Sequence, residues 1–162
     1  MRTPAQRNLY PFATVDKLPD LSPDARRLFD RVVSVVRPDA SSIVGAECWA
    51  NIFNEGDGIP MHSDIDEILY RETRQLRCAL FGAVYYGRCE NLEGGSLIFE
   101  DGVVVLPKRN RCVIFFGGTR HSVEKVRTGI RKTVVMSVWD RIPFAHAQSV
   151  NAAANKPYPQ AG

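Results

Sequence analysis

His62 and Asp64, in the segment H-S-D, are residues whose types and spacing indicate metal chemistry. Side chains two positions apart on a strand point to the same face, so the imidazole and the carboxylate can converge on one point. Such a pair supplies two of the three protein ligands of a non-haem iron(II) site, whose remaining positions stay open. A His-x-Asp triplet alone is also common in surface loops, so the metal interpretation requires a third ligand from elsewhere.

A second histidine would complete that ligand set, and the sequence holds three histidines in all. His121 follows the apolar run 113–116, where one strand should end and another begin. It is equally compatible with a solvated turn residue and with a metal ligand. His146 lies in a C-terminal segment rich in Ala, Asn and Pro, and we expect it to be exposed.

Arg131 lies ten residues after His121 in T-G-I-R-K-T-V-V-M-S-V-W, a pattern that predicts a strand with the arginine directed inwards. A buried guanidinium needs an anion. That anion is either an acidic side chain, in a structural salt bridge, or the distal carboxylate of a dicarboxylate that chelates the metal with its other end. Thr133, two residues on and on the same face, can donate a hydrogen bond to that carboxylate.

One helix is expected near the start of the chain. Ser22 can cap it, Pro23 suits its first position, and apolar residues recur at helical spacing at positions 28, 29, 32, 33 and 36. Pro38 disfavours helical geometry at the residue before it and ends the segment. Its apolar stripe indicates a helix that lies across a sheet.

After residue 42 the sequence predicts short strands separated by Gly, Pro, Asn and Asp, which is typical of a sandwich or barrel. The predicted strands are Val44–Phe53, Pro60–Asp64, Leu76–Tyr86, Ser96–Glu100, Val103–Leu106, Arg111–Phe116, His121–Val126 and Arg131–Trp139. At 162 residues the chain suits one domain, which we place at residues 1–144, followed by a flexible tail at residues 145–162.

The motifs together resemble the 2-oxoglutarate/Fe(II)-dependent oxygenase superfamily, in its prolyl-hydroxylase-like branch. The resemblance covers roughly residues 51–140 and extends beyond the candidate ligands. It is carried by H-S-D, L-R-C-A-L-F-G-A-V-Y-Y, E-G-G-S-L-I-F-E, V-L-P-K-R-N-R-C-V-I-F-F, H-S-V-E-K-V and G-I-R-K-T-V-V-M-S-V-W, in that order. It implies a mostly β fold, a double-stranded β-helix or jelly roll, with the predicted N-terminal helix as support.

The resemblance also implies the roles of individual residues. His62, Asp64 and His121 would be the iron ligands, and Arg131 would bind the distal carboxylate of 2-oxoglutarate, with Thr133 as a helper. A tyrosine on the strand after His-x-Asp often contacts the cosubstrate, and Tyr85 is the predicted one. The implied cofactors are Fe(II), 2-oxoglutarate and dioxygen. Related halogenases have a small residue where this chain has Asp64, so hydroxylation is expected.

A second resemblance concerns N-I-F-N-E-G-D-G-I-P-M-H-S-D, which is similar to a segment of the alkylation-repair dioxygenases that demethylate nucleic acids. It implies that Asn51 reaches the cosubstrate, although Asn51 is equally compatible with a polar residue at a strand edge. Phe53 replaces the usual tyrosine. The ten-residue step from His121 to Arg131 fits the prolyl-hydroxylase-like branch better.

The substrate is expected to contact three loops, at residues 55–61, 65–75 and 87–93. The charged run 66–74 is either a lid, with Arg71 and Arg74 free to bind an anion, or a solvated loop. The small chain favours a small amino-acid-like substrate, then a peptidyl residue. The alternatives are a nucleic-acid demethylase and a cupin-like metal-binding protein without oxygenase activity.

Composition narrows the setting. The net charge of +3 neither predicts nor excludes a nucleic-acid partner. There is no apolar stretch of membrane-spanning length and no signal-peptide pattern in the first residues, so we expect a cytoplasmic protein. The four cysteines show no paired spacing and are expected to be reduced, as small buried hydrophobic residues.

Overall fold

Two antiparallel β-sheets dominate this computed structural model, which describes residues 12–36 and 42–148. The five-stranded sheet has the order β1-β2-β9-β4-β7, and the four-stranded sheet has the order β3-β8-β5-β6. All pairings between these strands are antiparallel, which confirms the predicted mostly β jelly roll. The strands are β1 (Phe12–Thr14), β2 (Gly45–Phe53), β3 (Ile59–His62), β4 (Phe81–Gly94), β5 (Leu97–Phe99), β6 (Val104–Val105), β7 (Cys112–Phe116), β8 (His121–Val123) and β9 (Val126–Trp139).

The predicted N-terminal helix is α2 (Pro23–Val36), which follows the short helix α1 (Leu18–Leu21). Ser22 caps α2, because its Oγ accepts a hydrogen bond from the backbone N–H of Ala25 at 2.9 Å. The buried side chains Phe29 and Val32 of α2 pack against the outer face of the five-stranded sheet. The sheet residues in this cluster are Ala46, Ala83, Met136 and Val138. The helix therefore supports this sheet, as predicted.

Strand β9 is the central strand of the five-stranded sheet and is covered on both faces. Met136 and Val138 face α2, whereas Val135 faces the four-stranded sheet, in a cluster with Val84 and Leu97. Because neither face meets water, the sequence from Thr133 to Trp139 is apolar at most positions rather than alternating. The inner face of this sheet, which carries the odd-numbered residues of the last half of β9, forms one wall of the candidate site.

Several predicted boundaries differ from the structure. Strand β4 starts at Phe81 rather than Leu76 and runs to Gly94, so the predicted substrate loop 87–93 is strand paired with β9. β9 begins at Val126 instead of Arg131. β3 ends at His62, before Asp64. The extended parts of β4 and β9 were not predicted because their residues are mostly polar and exposed, and such sequences resemble loops.

The charged run 66–74 forms helix α3 (Glu67–Thr73), not a loop. Asp66 caps the helix by accepting a hydrogen bond from Leu69 N–H at 3.0 Å, and Arg74 ends it in the left-handed conformation, with φ of 63°. Arg71 pairs with Glu72. Neither Arg71 nor Arg74 lines the cavity beside the predicted metal ligands.

Part of the predicted C-terminal tail is ordered against the domain. Residues 144–148 are helical, and Phe144 N–H donates to Asp66 Oδ2 at 2.7 Å. Residues 149–162, also assigned to the tail, lie outside the described residues. Residues 145–148 of the predicted tail are therefore helical in the structure, and the flexibility of the tail stays a prediction.

Two features bear on the predicted setting. Cys48, Cys78, Cys89 and Cys112 are free thiols, and all four are half-buried rather than fully buried. No helix in residues 12–36 and 42–148 has both the length and the apolar character needed to cross a bilayer.

Candidate metal centre and cavity

The three predicted metal ligands lie together at one end of the four-stranded sheet. His62 and His121 are direct partners in the β3–β8 pairing, and their ring centres are 4.4 Å apart. Asp64 lies just past the end of β3, and its Oδ1 is 3.6 Å from His62 Nε2. One potential ligand atom from each residue lies within 4.8 Å of the others. The structure therefore brings His62, Asp64 and His121 to one point, with Asp64 placed by the segment that follows β3 rather than by the strand itself.

The two imidazoles are held in the same tautomer. His62 Nδ1 lies 2.9 Å from the carbonyl oxygen of Pro60, and His121 Nδ1 lies 2.9 Å from that of Thr119. A carbonyl oxygen can only accept, so each Nδ1 carries the proton and each Nε2 keeps a free lone pair. Backbone contacts of this kind orient metal-binding histidines in proteins. The donor set thus fits a divalent metal of the iron type.

Burial shapes the charges of this cluster. Desolvation raises the pKa of Asp64, although His121 and His62 partly oppose this. Desolvation also lowers the pKa of His121, an effect that its hydrogen bond to Thr119 and the charge of Asp64 partly offset. The neutral imidazole that a metal requires is therefore favoured. The ionised carboxylate is disfavoured until a cation lies beside it.

Gly82 makes room for Asp64 on the inner face of the five-stranded sheet. A Cβ at this position would lie 3.3 Å from Asp64 Oδ2 and 2.6 Å from the Phe115 ring. Gly82 is paired with Ser137 on β9. The group formed by His62, Asp64 and His121 (the metal cluster) therefore lies over this row of the sheet. A glycine here lets the carboxylate and the aromatic ring approach the backbone together.

Arg131 is fully buried on the inner face of β9, with 1% of its surface exposed. Its Nε donates to the carbonyl of Gly95 at 3.1 Å, and its Nη1 donates to Thr133 Oγ1 at 3.3 Å. None of the ion pairs found within residues 12–36 and 42–148 includes Arg131. In this part of the chain the structural salt bridge is therefore absent, and a buried cation borders the cavity without a carboxylate.

Tyr86, rather than the predicted Tyr85, lies beside Arg131. Tyr86 is buried and pairs with Thr133 across the sheet, and its hydroxyl has no hydrogen-bond partner among the described residues. Tyr85 points to the opposite face, where its hydroxyl donates to Asn110 Oδ1 at 3.0 Å. Successive strand residues alternate between faces, so only one of the two tyrosines can reach the site.

Asn51 and Phe53 belong to the same inner face. Asn51 pairs with Thr133 and lines the cavity, whereas Phe53 pairs with Arg131. The guanidinium carbon of Arg131 lies 5.2 Å from the ring centre of Phe53 and 5.0 Å from that of Tyr86. Two aromatic rings thus hold the guanidinium in place, and Phe53 contributes through its ring where a tyrosine would offer a hydroxyl.

A single cavity of about 500 Å³ joins the metal cluster to Arg131. It lies between the sheets, and helix α3 and the C-terminal segment form part of its wall. The residues that line it are Glu47, Trp49, Asn51, Ile59, Pro60, His62, Ser63, Asp64, Ile65, Asp66, Glu67, Ile68, Val84, Leu97, Phe115, His121, Val123, Arg131, Val135, Ser137, Trp139, Pro143 and Ala145.

His146 and Glu47 form a second polar group at this cavity, which the sequence did not indicate. His146 Nε2 lies 3.2 Å from Glu47 Oε1, and Trp139 Nε1 donates to Glu47 Oε2 at 3.1 Å. The predicted exposure of His146 was wrong, since only 17% of its side chain is accessible. The contact joins residues 99 positions apart in the chain, so no local pattern could reveal it.

Comparison with known proteins gives a match only at the level of structure. No protein-family model matches the chain, and no curated protein matches it by sequence. A Pseudomonas putida prolyl-4-hydroxylase is 19% identical with a TM-score of 0.59, covering 83% of this chain and 75% of its own.

Two further structures are similar. A 2OG-Fe(II) oxygenase family oxidoreductase from Burkholderia pseudomallei is 17% identical with a TM-score of 0.54, over 75% of this chain. This chain spans 59% of that protein's length. A collagen prolyl hydroxylase from Paramecium bursaria Chlorella virus-1, solved with 2OG, is 16% identical with a TM-score of 0.52, covering 71% of this chain and 70% of its own. At these identities the likeness establishes a shared fold, that of 2OG-Fe(II) oxygenases and prolyl hydroxylases.

Proposed function

We propose that this chain is a 2-oxoglutarate- and Fe(II)-dependent dioxygenase that hydroxylates an unactivated C–H bond of a small amino-acid-like molecule or of a peptidyl residue. The observation that carries the proposal is the cavity itself. It joins a two-histidine, one-carboxylate cluster to a buried arginine that has no carboxylate partner in the described part of the chain. A metal site alone would not need that arginine.

His62, Asp64 and His121 are the residues that would hold the iron through Nε2, a carboxylate oxygen and Nε2. When bound, iron with 2-oxoglutarate and dioxygen supplies the oxidative chemistry, in which 2-oxoglutarate yields succinate and CO2 while the substrate gains a hydroxyl group. The carbonyls of Pro60 and Thr119 keep both rings oriented for this purpose. Asp64 occupies the position that related halogenases leave to a halide, which supports hydroxylation.

Arg131 would bind the distal carboxylate of 2-oxoglutarate. Charge-assisted hydrogen bonds to a carboxylate are the strong ones in a buried site. Thr133 and the unpaired Tyr86 hydroxyl lie in the neighbouring cross-strand row and can donate to the same carboxylate. Asn51 extends this row to β2 and is a further candidate donor. Its side chain has the capacity to bind the cosubstrate, as the resemblance to alkylation-repair dioxygenases implies.

The substrate would enter beside β3 and helix α3, since Ile65, Glu67 and Ile68 line the cavity there. A cavity of about 500 Å³ that also holds the cosubstrate leaves room for a molecule of amino-acid size. A peptidyl residue is the second candidate, because two of the similar structures are named as prolyl hydroxylases.

The two alternatives predicted by the sequence have less support. A nucleic-acid demethylase would bring a polyanion to a cavity whose lining near α3 includes Glu47, Asp66 and Glu67, which is unfavourable. A cupin-like metal-binding protein without oxygenase activity would have no use for Arg131 beside an unpaired Tyr86 hydroxyl. Formaldehyde release from methylated DNA or RNA would favour the first alternative.

The test is turnover of 2-oxoglutarate. Purified protein with Fe(II), ascorbate and 2-oxoglutarate should form succinate in air, slowly without substrate and faster when a panel of amino acids and peptides supplies one. Asp64→Ala should abolish this at unchanged folding by circular dichroism. Arg127→Ala, an exposed change on the same strand as Arg131, should leave it intact. Succinate formation that persists in Asp64→Ala would contradict the assignment.

A further inference from the structure

Glu47 is a carboxylate on the inner face of the five-stranded sheet, close to the metal cluster but outside it. Glu47 pairs with Ser137, which pairs with Gly82 on the other side of β9. Asp64 Oδ2 lies over Gly82, 3.3 Å from the position of a Cβ there. Two strand spacings separate Gly82 from Glu47, which is about 10 Å along this row. Glu47 therefore faces the metal cluster across the width of a small molecule.

The cosubstrate bound at Arg131 cannot reach Glu47. Arg131 donates to Thr133, which lies four positions before Ser137 on β9, about 13 Å along an extended strand. The cavity thus has two ends. The Arg131 end fits a dicarboxylate, whereas Glu47 lies in the same cross-strand row as the metal cluster, two strand spacings to its side, where a substrate can lie.

The charges of the two ends are opposite. Apart from the two histidine ligands, Arg131 is the one basic residue among the described residues of the cavity wall, and the other charged ones are Glu47, Asp64, Asp66 and Glu67. A divalent metal and Arg131 together balance Asp64 and a doubly charged 2-oxoglutarate. The Glu47 end then carries the carboxylates of Glu47, Asp66 and Glu67, and the basic group beside Glu47 is the His146 imidazole. Asp66 caps helix α3 and also holds the N–H of Phe144, so its carboxylate has a structural role.

Glu47 retains capacity for another hydrogen bond. Each carboxylate oxygen has one protein contact, to His146 or to Trp139, and a carboxylate offers about four acceptor positions. Burial raises the pKa of Glu47, so the ionised form lacks full solvation and gains from a cation beside it. Trp49 and Trp139 also line the cavity, and aromatic rings attract cations.

We propose that Glu47 is a specificity-determining residue that binds a positively charged nitrogen group of the substrate. The substrate class is therefore a small cationic amine, held between Glu47 and the metal cluster. This inference rests on the proposed oxygenase function.

The test compares probes that differ in one charge. Anaerobic protein loaded with Fe(II) and 2-oxoglutarate is titrated by calorimetry with n-pentylamine against 1-pentanol, and with Nα-acetyl-L-lysine against Nα-acetyl-L-norleucine. The amine of each pair should bind about tenfold or more tightly, as expected for a hydrogen bond to a charged partner. Glu47→Gln should remove this preference, and Glu47→Asp should keep part of it. Glu90→Gln, an exposed change outside the cavity, should keep all of it.

The visible band of the Fe(II)–2-oxoglutarate chelate is recorded first for each variant. If wild type shows no band, the proposed oxygenase function fails. If the band forms but wild type binds the amine and its neutral partner equally, or binds neither, the Glu47 inference is overturned and the oxygenase function stands. An amine preference that survives in Glu47→Gln also overturns it. Since Glu47→Asp keeps the charge, it separates loss of the anion from disturbance of His146 and Trp139.

Discussion

The guanidinium carbon of Arg131 lies 5.0 Å from the ring centre of Tyr86, and the hydroxyl of that tyrosine has no hydrogen-bond partner in the described structure. A buried hydroxyl without a partner costs free energy. This hydroxyl lies beside a buried guanidinium that has no carboxylate partner in the described part of the chain. An anionic group bound at this point would therefore give a partner to both the hydroxyl and the guanidinium. The proposed cosubstrate site rests on this relationship.

Replacing Arg131 should weaken 2-oxoglutarate binding. Arg131→Ala removes charge-assisted hydrogen bonds, each of which is worth about 1.5–3 kcal/mol, so the Kd should rise at least about 10- to 100-fold. Arg131→Lys should recover only part of the affinity, because an ammonium lacks the planar fork that matches a carboxylate. Titration of the Fe(II)-loaded protein with 2-oxoglutarate measures the Kd. Unchanged affinity in Arg131→Ala would show that the arginine is structural.

Tyr86→Phe should change stability and cosubstrate binding in opposite directions. Without 2-oxoglutarate, the free energy of unfolding should rise by about 1–3 kcal/mol, because the variant no longer buries an unpaired hydroxyl. The stabilisation that 2-oxoglutarate gives should shrink, since a donor to its carboxylate is lost. Thermal unfolding with and without 2-oxoglutarate measures both. Tyr85→Phe, on the opposite face, is the matched control and should leave the ligand effect unchanged.

Gly82→Ala should weaken metal binding. The added Cβ would lie 2.6 Å from the Phe115 ring and 3.3 Å from Asp64 Oδ2, so the ring and the carboxylate must move. Gly87→Ala lies on the same strand with its nearest atoms 3.9 Å away, and should bind metal normally. Competition with a chromogenic chelator measures the affinity. Equal affinities in the two variants would mean that Asp64 tolerates displacement or does not bind the metal.

The stability of the Glu47→Gln variant relative to wild type should increase as the pH rises. Burial, with a smaller contribution from Asp66, raises the pKa of Glu47 above 4.5, although His146 and Trp139 oppose this. The folded state therefore holds the proton more tightly, and the stability that this provides is lost as the pH rises through the folded pKa. Glutamine has no such loss.

The measurement is the difference in melting temperature between Glu47→Gln and wild type from about pH 5 to about pH 8, where the shift should appear. Glu90→Gln is the control: Arg88 lowers the pKa of Glu90 below 4.5, so its contribution is already complete above that pH and the difference should stay flat over this range. A difference for Glu47→Gln that does not change with pH, or falls as the pH rises, would show that its partners outweigh burial.

The pairing of His62 with Asp64 could be predicted from local spacing, whereas His121 was assigned through the family resemblance. His62 and Asp64 are two residues apart, and the step from His121 to Arg131 lies within one short stretch. Tyr86 could not be chosen over Tyr85, because the face of a strand residue depends on its pairing register. The register of β4 also shifts between Tyr86 and Arg88, which breaks simple alternation beyond this point.

The far end of the cavity depends on contacts across the chain. Glu47 reads as an ordinary strand residue, and its meeting with His146 requires the C-terminal segment to fold back. Helix α3 was hidden because its sequence is charged and only seven residues long, and its stability comes from the Asp66 cap and from contact with the domain. The parts set by tertiary packing therefore escaped prediction.

The most direct measurement of the central claim is an anaerobic titration of the Fe(II)-loaded protein with 2-oxoglutarate, followed in visible light. A charge-transfer band that saturates at one equivalent, that is lost in His121→Ala, and that needs much more 2-oxoglutarate in Arg131→Ala is the predicted result. Folded wild-type protein that binds Fe(II) and shows no band with 2-oxoglutarate would contradict it.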